Sequence, residues 1–158
     1  MNKNIFLNRE IILIKHLKGA PGLRFFGTGP NLLPCKGLYK LKKLLDKNTS
    51  WAKKRKLKDL KHCLANSDAI VSLWSNNKIL GFGRALSDGI YRSVLWDIVI
   101  DHQHQGKGYG KLIVKSLLES KKINQSEKVY LMTSTQKNFY CQIGFKEVLS
   151  QNLLIKKY

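Results

Sequence analysis

The 158-residue sequence predicts an α/β domain built on a mixed sheet. Three observations predict it. Strand-like apolar runs follow one another between residues 69 and 100, separated by Asn76-Asn77 and Asp88-Gly89, pairs that tolerate the positive φ of tight hairpin turns. Segments with apolar residues at helical spacing lie on either side of that meander. The last apolar run leads through a glycine-rich turn directly into a helical segment.

The elements are taken in order. Ile11 to Ile14 is a short apolar run and predicts a first strand. Residues 19–35 carry all three prolines (Pro21, Pro30, Pro34) and four glycines, which predicts a loop. Leu38 to Leu45 is apolar at helical spacing. A second helix is predicted from about Ala52 to Leu64, with Leu57, Leu60 and Leu64 on one face. The run Lys53-Lys54-Arg55-Lys56 reads as the solvated face of that helix, with a nucleic-acid patch as the alternative. Strands are predicted over Ala69–Trp74, Ile79–Leu86 and Tyr91–Ile100, forming an antiparallel meander. A helix from about Gly108 to Lys122 follows, with Leu112, Ile113, Leu117 and Leu118 apolar. A strand over Val129–Thr133, a short helix around Gln136–Ile143 and terminal strand material after Phe145 complete the prediction.

Length suits one domain over residues 1–158, large enough to bury a core. A hydrophobic fraction of 43% is that of a globular chain rather than a disordered one. Cys35, Cys63 and Cys141 are odd in number and far apart, so neither a disulfide framework nor a metal site follows, and a reducing compartment is expected. No apolar run approaches the ~18 residues of a membrane span. The first residues lack the apolar core of a secretory signal.

The charge is lopsided, with 29 Lys plus Arg against 10 Asp plus Glu and a formal net charge of +19. Such a field draws polyanions, so non-specific contact with nucleic acid is a candidate partner interaction. Yet 24 of the basic residues are Lys and five are Arg, the balance an AT-rich genome writes. Arg rather than Lys is the residue of bidentate phosphate recognition.

The segment Asp97 to Lys111, DIVIDHQHQGKGYGK, is the most informative. Gly106, Gly108 and Gly110 allow a sharp turn and a close approach of backbone to ligand. The helix start leaves unpaired N–H groups and a positive dipole end, which suit a phosphate. Lys107 and Lys111 add charge. A P-loop would need Ser or Thr after Lys111, where Leu112 stands, and the dinucleotide fingerprint would need Gly at Lys111.

Thirty residues on comes Phe139-Tyr140-Cys141-Gln142-Ile143-Gly144-Phe145. With it the sequence resembles the GNAT acetyltransferases. Their pattern Gln/Arg-x-x-Gly-x-Gly/Ala at a strand-to-helix turn is matched by Gln105, Gly108 and Gly110. Their later Tyr-x-x-x-Gly-Phe is matched by Tyr140, Gly144 and Phe145. The resemblance runs roughly from Trp51 to Phe145. Trp51-Ala52-Lys53-Lys54, Val71-Ser72-Leu73-Trp74, Gly81-Phe82-Gly83-Arg84-Ala85, Ser87-Asp88 and Trp96-Asp97 look most like the plastid and cyanobacterial branch. Residues 1–35 resemble nothing in it and read as a divergent N-terminal strand and Pro/Gly-rich loop.

The resemblance implies a GNAT fold: a central mixed, mostly antiparallel sheet with two splayed strands and flanking helices. It implies acetyl-CoA as co-substrate and no metal. Backbone groups of Ile98, Val99 and Ile100 would meet the pantetheine arm and thioester, with one N–H on the developing oxyanion. The turn Gln105, Gly106, Lys107, Gly108, Tyr109 and Gly110, with Lys111, would hold the pyrophosphate. Tyr140 would contact the cofactor and act as general acid, since a phenol of pKa about 10 is protonated at neutral pH and can donate to a departing thiolate.

A base is open. Asp97, inside the apolar run Val94–Ile100, is a candidate because burial raises a carboxylate toward the needed range. A structural carboxylate or a water chain are the alternatives. Asp88 fits turn chemistry. His102 and His104 read as loop residues. Relatives often carry Asn or Asp where Thr133 stands, which puts that cofactor contact in doubt.

The acceptor implied is a primary amine, a protein Lys or α-amine, with an arylalkylamine as the alternative. A non-catalytic basic RNA- or ribosome-associated module on the same fold is a further reading; Gln105, Gly108, Gly110 and Tyr140 argue against it. No membrane partner is expected. The compartment implied is the plastid stroma, or a bacterial-type cytoplasm.

Overall fold

The computed structural model describes residues 3–6 and 10–157. The strands form one six-stranded sheet in sequential order: β1 (Lys3–Phe6), β2 (Ile11–Lys15), β3 (Ala69–Ser75), β4 (Lys78–Ser87), β5 (Arg92–Ile100) and β6 (Lys128–Tyr130). Every neighbouring pair is antiparallel except β5–β6, which is parallel. The sheet is mixed and mostly antiparallel, as expected.

The two hairpins of the meander are made by the residues that predict them. Asn76 and Asn77 take φ of 44° and 62°, the left-handed pair of a two-residue turn. In the next turn the Asp88 carboxylate accepts the N–H groups of Ile90, Tyr91 and Arg92 while Gly89 takes φ 84°. Asp88 is fully used as a turn residue.

Helices cover both faces. On one, α1 (Gly37–Asn48) and α2 (Leu57–Ala65) bury Leu41, Leu45, Leu60 and Leu64 against Ile14, Ile70, Trp74, Phe82 and Val99. On the other, α3 (Tyr109–Leu118) and α4 (Lys121–Asn124) bury Ile113, Val114, Leu117 and Ile123 against Leu13, Val71, Leu73, Leu80 and Leu95. Each such side chain contributes roughly 1.5–3 kcal/mol of burial. The short α5 (Lys137–Gln142) packs beside α3. Gly81 and Gly83 set how close α3 lies: a Cβ on either would stand 2.7 Å from Ile113.

Several expectations are corrected. Ile11–Lys15 is the second strand, because Lys3–Phe6 pairs with it in register Ile5↔Leu13. The loop 19–35 contains one turn of π-helix, Gly22–Phe26, closed by Gly27 at φ 62°. The second helix begins at Leu57, since Lys54 at φ 69° cannot continue a right-handed helix. The basic run therefore lies in the α1–α2 turn, not on a helix face. The third long helix ends at Leu118 because Ser120 is extended. The sixth strand stops at Tyr130. No strand follows Phe145 among the described residues; Leu149, Leu153, Leu154 and Ile155 are 76–88% exposed and bury no apolar face that would fix a register. No helix among the described residues is long and apolar enough to cross a membrane.

Candidate active site

The site begins where two parallel strands part. β5 pairs with β6 only through Arg92↔Lys128, Ser93↔Val129 and Val94↔Tyr130, yet β5 continues six residues further to Ile100. Its edge from Leu95 onward is open on that side. On the other side the ladder with β4 is kept, Phe82↔Val99 and Gly81↔Ile100, and Asp101 N–H bonds Leu80 O at 2.8 Å.

That register decides which backbone groups reach the opening. Backbone direction alternates along a strand, so with Asp101 turned to β4, Val99 is too, while Ile98 and Ile100 point to the open edge. The Val99 backbone faces Phe82 in the ladder. The Ile100 carbonyl is already engaged, accepting from Gln105 Nε2 at 3.3 Å. Gln105 ties the turn to the strand end.

A slip in the ladder lies just upstream. Arg84 faces Trp96 and Phe82 faces Val99, so Gly83 opposes two residues, a β-bulge. Asp97 sits in it at φ 54°. Its buried carboxylate accepts from Arg84 Nε at 2.6 Å and Arg55 Nη1 at 2.9 Å, both on Oδ2. Arg55, from the α1–α2 turn, also lies 5.5 Å from the ring of exposed Trp51. These two cationic donors on Oδ2 tie the carboxylate to β4 and to the α1–α2 turn. Composition could not reveal this: Arg55 and Asp97 are 42 residues apart.

Beyond Ile100 the chain makes a single 3-10 turn, His102–His104, then Gln105 to Gly110. Asp101 caps the 3-10 turn by accepting from Gln103 N–H, and neighbours Lys47 and His104. Its carboxyl is held below the usual range; burial opposes this, outweighed by the Gln103 N–H, His104 and Lys47. His102 is bound through its N–H and ring to Asn48 of α1. Both histidines therefore hold the loop, and no cluster of three metal-ligating side chains occurs among the described residues.

Gly106 and Gly108 take φ of 75° and 78°, and a Cβ on either would meet nothing within 4 Å. The backbone there is bare and faces open space. The first helical N–H with an intrahelical acceptor is that of Leu112, on Gly108 O at 3.1 Å, which leaves those of Tyr109, Gly110 and Lys111 at the helix end. Lys107 and Lys111 are exposed, and no acidic residue lies between Asp101 and Glu119. Beside Lys111, a cavity of about 540 Å³ runs between α3 and α5, lined also by Val114, Leu118, Gln142 and Ile143.

Gly110 and α5 are in contact: a Cβ at Gly110 would lie 3.1 Å from the Phe139 ring. Tyr140 is half-buried, edge-on to Phe139 at 4.9 Å and to Phe145 at 5.9 Å between centroids. Gly144 at φ 97° turns the chain so that Phe145 N–H returns to Tyr140 O at 3.0 Å. The spacing Tyr140–Gly144–Phe145 is thus one folded unit. Burial pushes the Tyr140 phenol above its ordinary value, so the hydroxyl keeps its proton throughout the neutral range. Thr133 accepts from Gln136 N–H at 3.0 Å and fixes the start of α5.

A family model described as acetyltransferase (GNAT) domain matches residues 59–147. A Pyropia yezoensis protein named uncharacterized N-acetyltransferase ycf52 is 35% identical over 113 residues, 68% of this chain and 64% of its own. A Glycine max protein named histone acetyltransferase TAP1 is 30% identical over 154 residues, 89% of this chain and 64% of its own. The chain thus spans slightly less than two thirds of each. An Arabidopsis thaliana protein named GCN5-related N-acetyltransferase 2, chloroplastic, is 31% identical over 70 residues, 44% of this chain and 27% of its own. A crystal structure of a gnat-family protein from Xanthomonas campestris superposes with a TM-score of 0.66 at 23% identity, covering 83% of this chain and 89% of that one.

Proposed function

The chain belongs to the GNAT acetyltransferase family, and from that premise we propose that it transfers an acetyl group from acetyl-CoA to a primary amine of a protein. One observation carries the reading: β5 leaves β6 after Val94, and the bare N-terminus of α3 stands at the far end of the edge so opened. An extended thioester whose other end is a pyrophosphate matches an open strand edge that leads to a helix N-terminus.

The residues fit that molecule. Gly106 and Gly108 leave space where side chains would stand, and Lys107 and Lys111 supply charge. Ile98, whose N–H is turned to the opening, would bind the carbonyl oxygen as negative charge develops on it. Acetyl-CoA supplies an activated acyl group and a thiolate leaving group. Tyr140 would donate the proton that thiolate needs. Asp97 would hold the bulge that aims Ile98, with water taking the proton of the amine.

The protein acceptor is supported by the Glycine max relative, named a histone acetyltransferase; the net charge of +19 repels small cationic amines and Lys-rich tails alike, but a protein can present its amine in an acidic context. A plastid location is supported by the relative named chloroplastic.

Incubation with acetyl-CoA, a peptide mixture and an arylalkylamine, read by thiol release and mass spectrometry, tests the proposal. Acetylated peptides are expected. Acetylation of the arylalkylamine alone would remove the acceptor assignment. No thiol release with either would remove the enzyme assignment.

A further inference from the structure

Residues 19–35, which match no motif of the active site, build one wall of a separate groove of about 920 Å³. The π-helical turn Gly22–Phe26 forms that wall, with the start of α1 and the flank of α2 opposite. It shares no residue with the β5 edge, the turn 105–111 or α5.

Its lining has two properties at once. Phe25, Phe26 and Tyr39 are 64%, 72% and 64% exposed, so three rings of the lining stand in water. Around them are Arg24, Lys58 and Lys61, and no lining residue is acidic. The Arg24 guanidinium lies 4.3 Å from the Phe25 ring centroid, while its Nε is buried with no hydrogen-bond partner.

The occupant must then be anionic at several points and must carry flat apolar faces. A duplex hides its base faces in the stack and offers the groove only phosphates. An acidic peptide offers carboxylates without regular rings. A single strand offers both, a phosphate backbone for the lysines and unstacked bases for the rings. We propose that this groove binds single-stranded nucleic acid without sequence preference, independently of acetyl transfer. The lysine-rich lining fits point-charge contact with phosphates rather than bidentate reading of bases.

The test is fluorescence anisotropy with a uridine homopolymer of about twelve nucleotides, alongside heparin, an RNA duplex of equal length and a poly-glutamate peptide. Wild type is compared with Phe25→Ala/Phe26→Ala/Tyr39→Ala and with Lys58→Glu/Lys61→Glu, each checked for an unchanged thermal midpoint. The single strand is expected to bind most tightly. Loss of the three rings is expected to weaken it at least tenfold and heparin less than twofold, while the charge reversal weakens both. Equal binding of single strand, duplex and heparin would overturn the proposal in favour of bulk charge. Tightest binding of poly-glutamate would overturn it in favour of an acidic protein partner. Unchanged single-strand binding by the ring-free variant would overturn it outright.

Discussion

Arg84 Nε donates to Asp97 Oδ2 at 2.6 Å across the β4–β5 ladder, at the point where the ladder slips by one residue. Arg55 closes the same oxygen from the α1–α2 turn at 2.9 Å. The three charges join the bulge to the helical layer above it. Asp97 at φ 54° makes Leu95 and Ile98, three residues apart, share the α3 face.

Asn accepts the left-handed conformation as readily as Asp, so Asp97→Asn removes charge while leaving φ intact. Arg84 is then left buried without its anion, a loss of about 3–5 kcal/mol. Urea unfolding is expected to show that loss, and acetyl transfer to fall with it. Full stability with abolished transfer would instead mark Asp97 as the base.

Gly83 lies under α3, where a Cβ would stand 2.7 Å from Ile113 Cγ2, 2.9 Å from Ile98 Cδ1 and 3.0 Å from Leu117 Cδ1. Gly83→Val should therefore cost about 1–3 kcal/mol by overpacking and shift the helix whose N-terminus forms the turn. Weaker acetyl-CoA binding in calorimetry, alongside a lowered thermal midpoint, is the expected pair of readouts.

Tyr140→Phe keeps both edge-on ring contacts and removes only the hydroxyl. Transfer should fall about 10²–10⁴-fold in kcat, with acetyl-CoA affinity nearly unchanged. Because burial raises the phenol's pKa, the wild-type loss of activity from Tyr140 ionisation should come only above pH 10. An early alkaline fall, near pH 8, would assign the acid elsewhere.

His16 gives a pH effect far from the chemistry. Its Nε2 pairs with Ser72 Oγ at 2.7 Å, and that hydroxyl also takes Trp74 Nε1 at 2.7 Å. Burial lowers its pKa to about 4 from 6.5. The unfolded chain therefore binds a proton first as pH falls, and stability contributed by neutral His16 drops between pH 6.5 and about 4. The slope is at most roughly 1.4 kcal/mol per pH unit. His16→Gln should flatten it in denaturant titrations across that window.

Much of this was legible in the sequence where local chemistry decides. Asn76-Asn77, Asp88-Gly89 and the two glycine motifs each require a backbone shape that few residues allow, and each takes it. What tertiary contact decides was not legible. The start of α2 depends on the left-handed Lys54, whose N–H is held by the Asp46 carboxylate at 3.0 Å. The fate of Asp97 depends on Arg55, delivered by that same turn. Val99 looked equivalent to its neighbours until the register with Phe82 fixed its direction.

The most direct test is calorimetry of acetyl-CoA binding in moderate salt, for wild type and Gly108→Glu. Gly108 sits at φ 78° with open space beside it, so glutamate there strains the turn and places a carboxylate where the phosphates would lie. Binding by the wild type and its loss in the variant is the predicted result. No binding by the wild type, or equal binding by both, would contradict the assignment of the turn as the cofactor site.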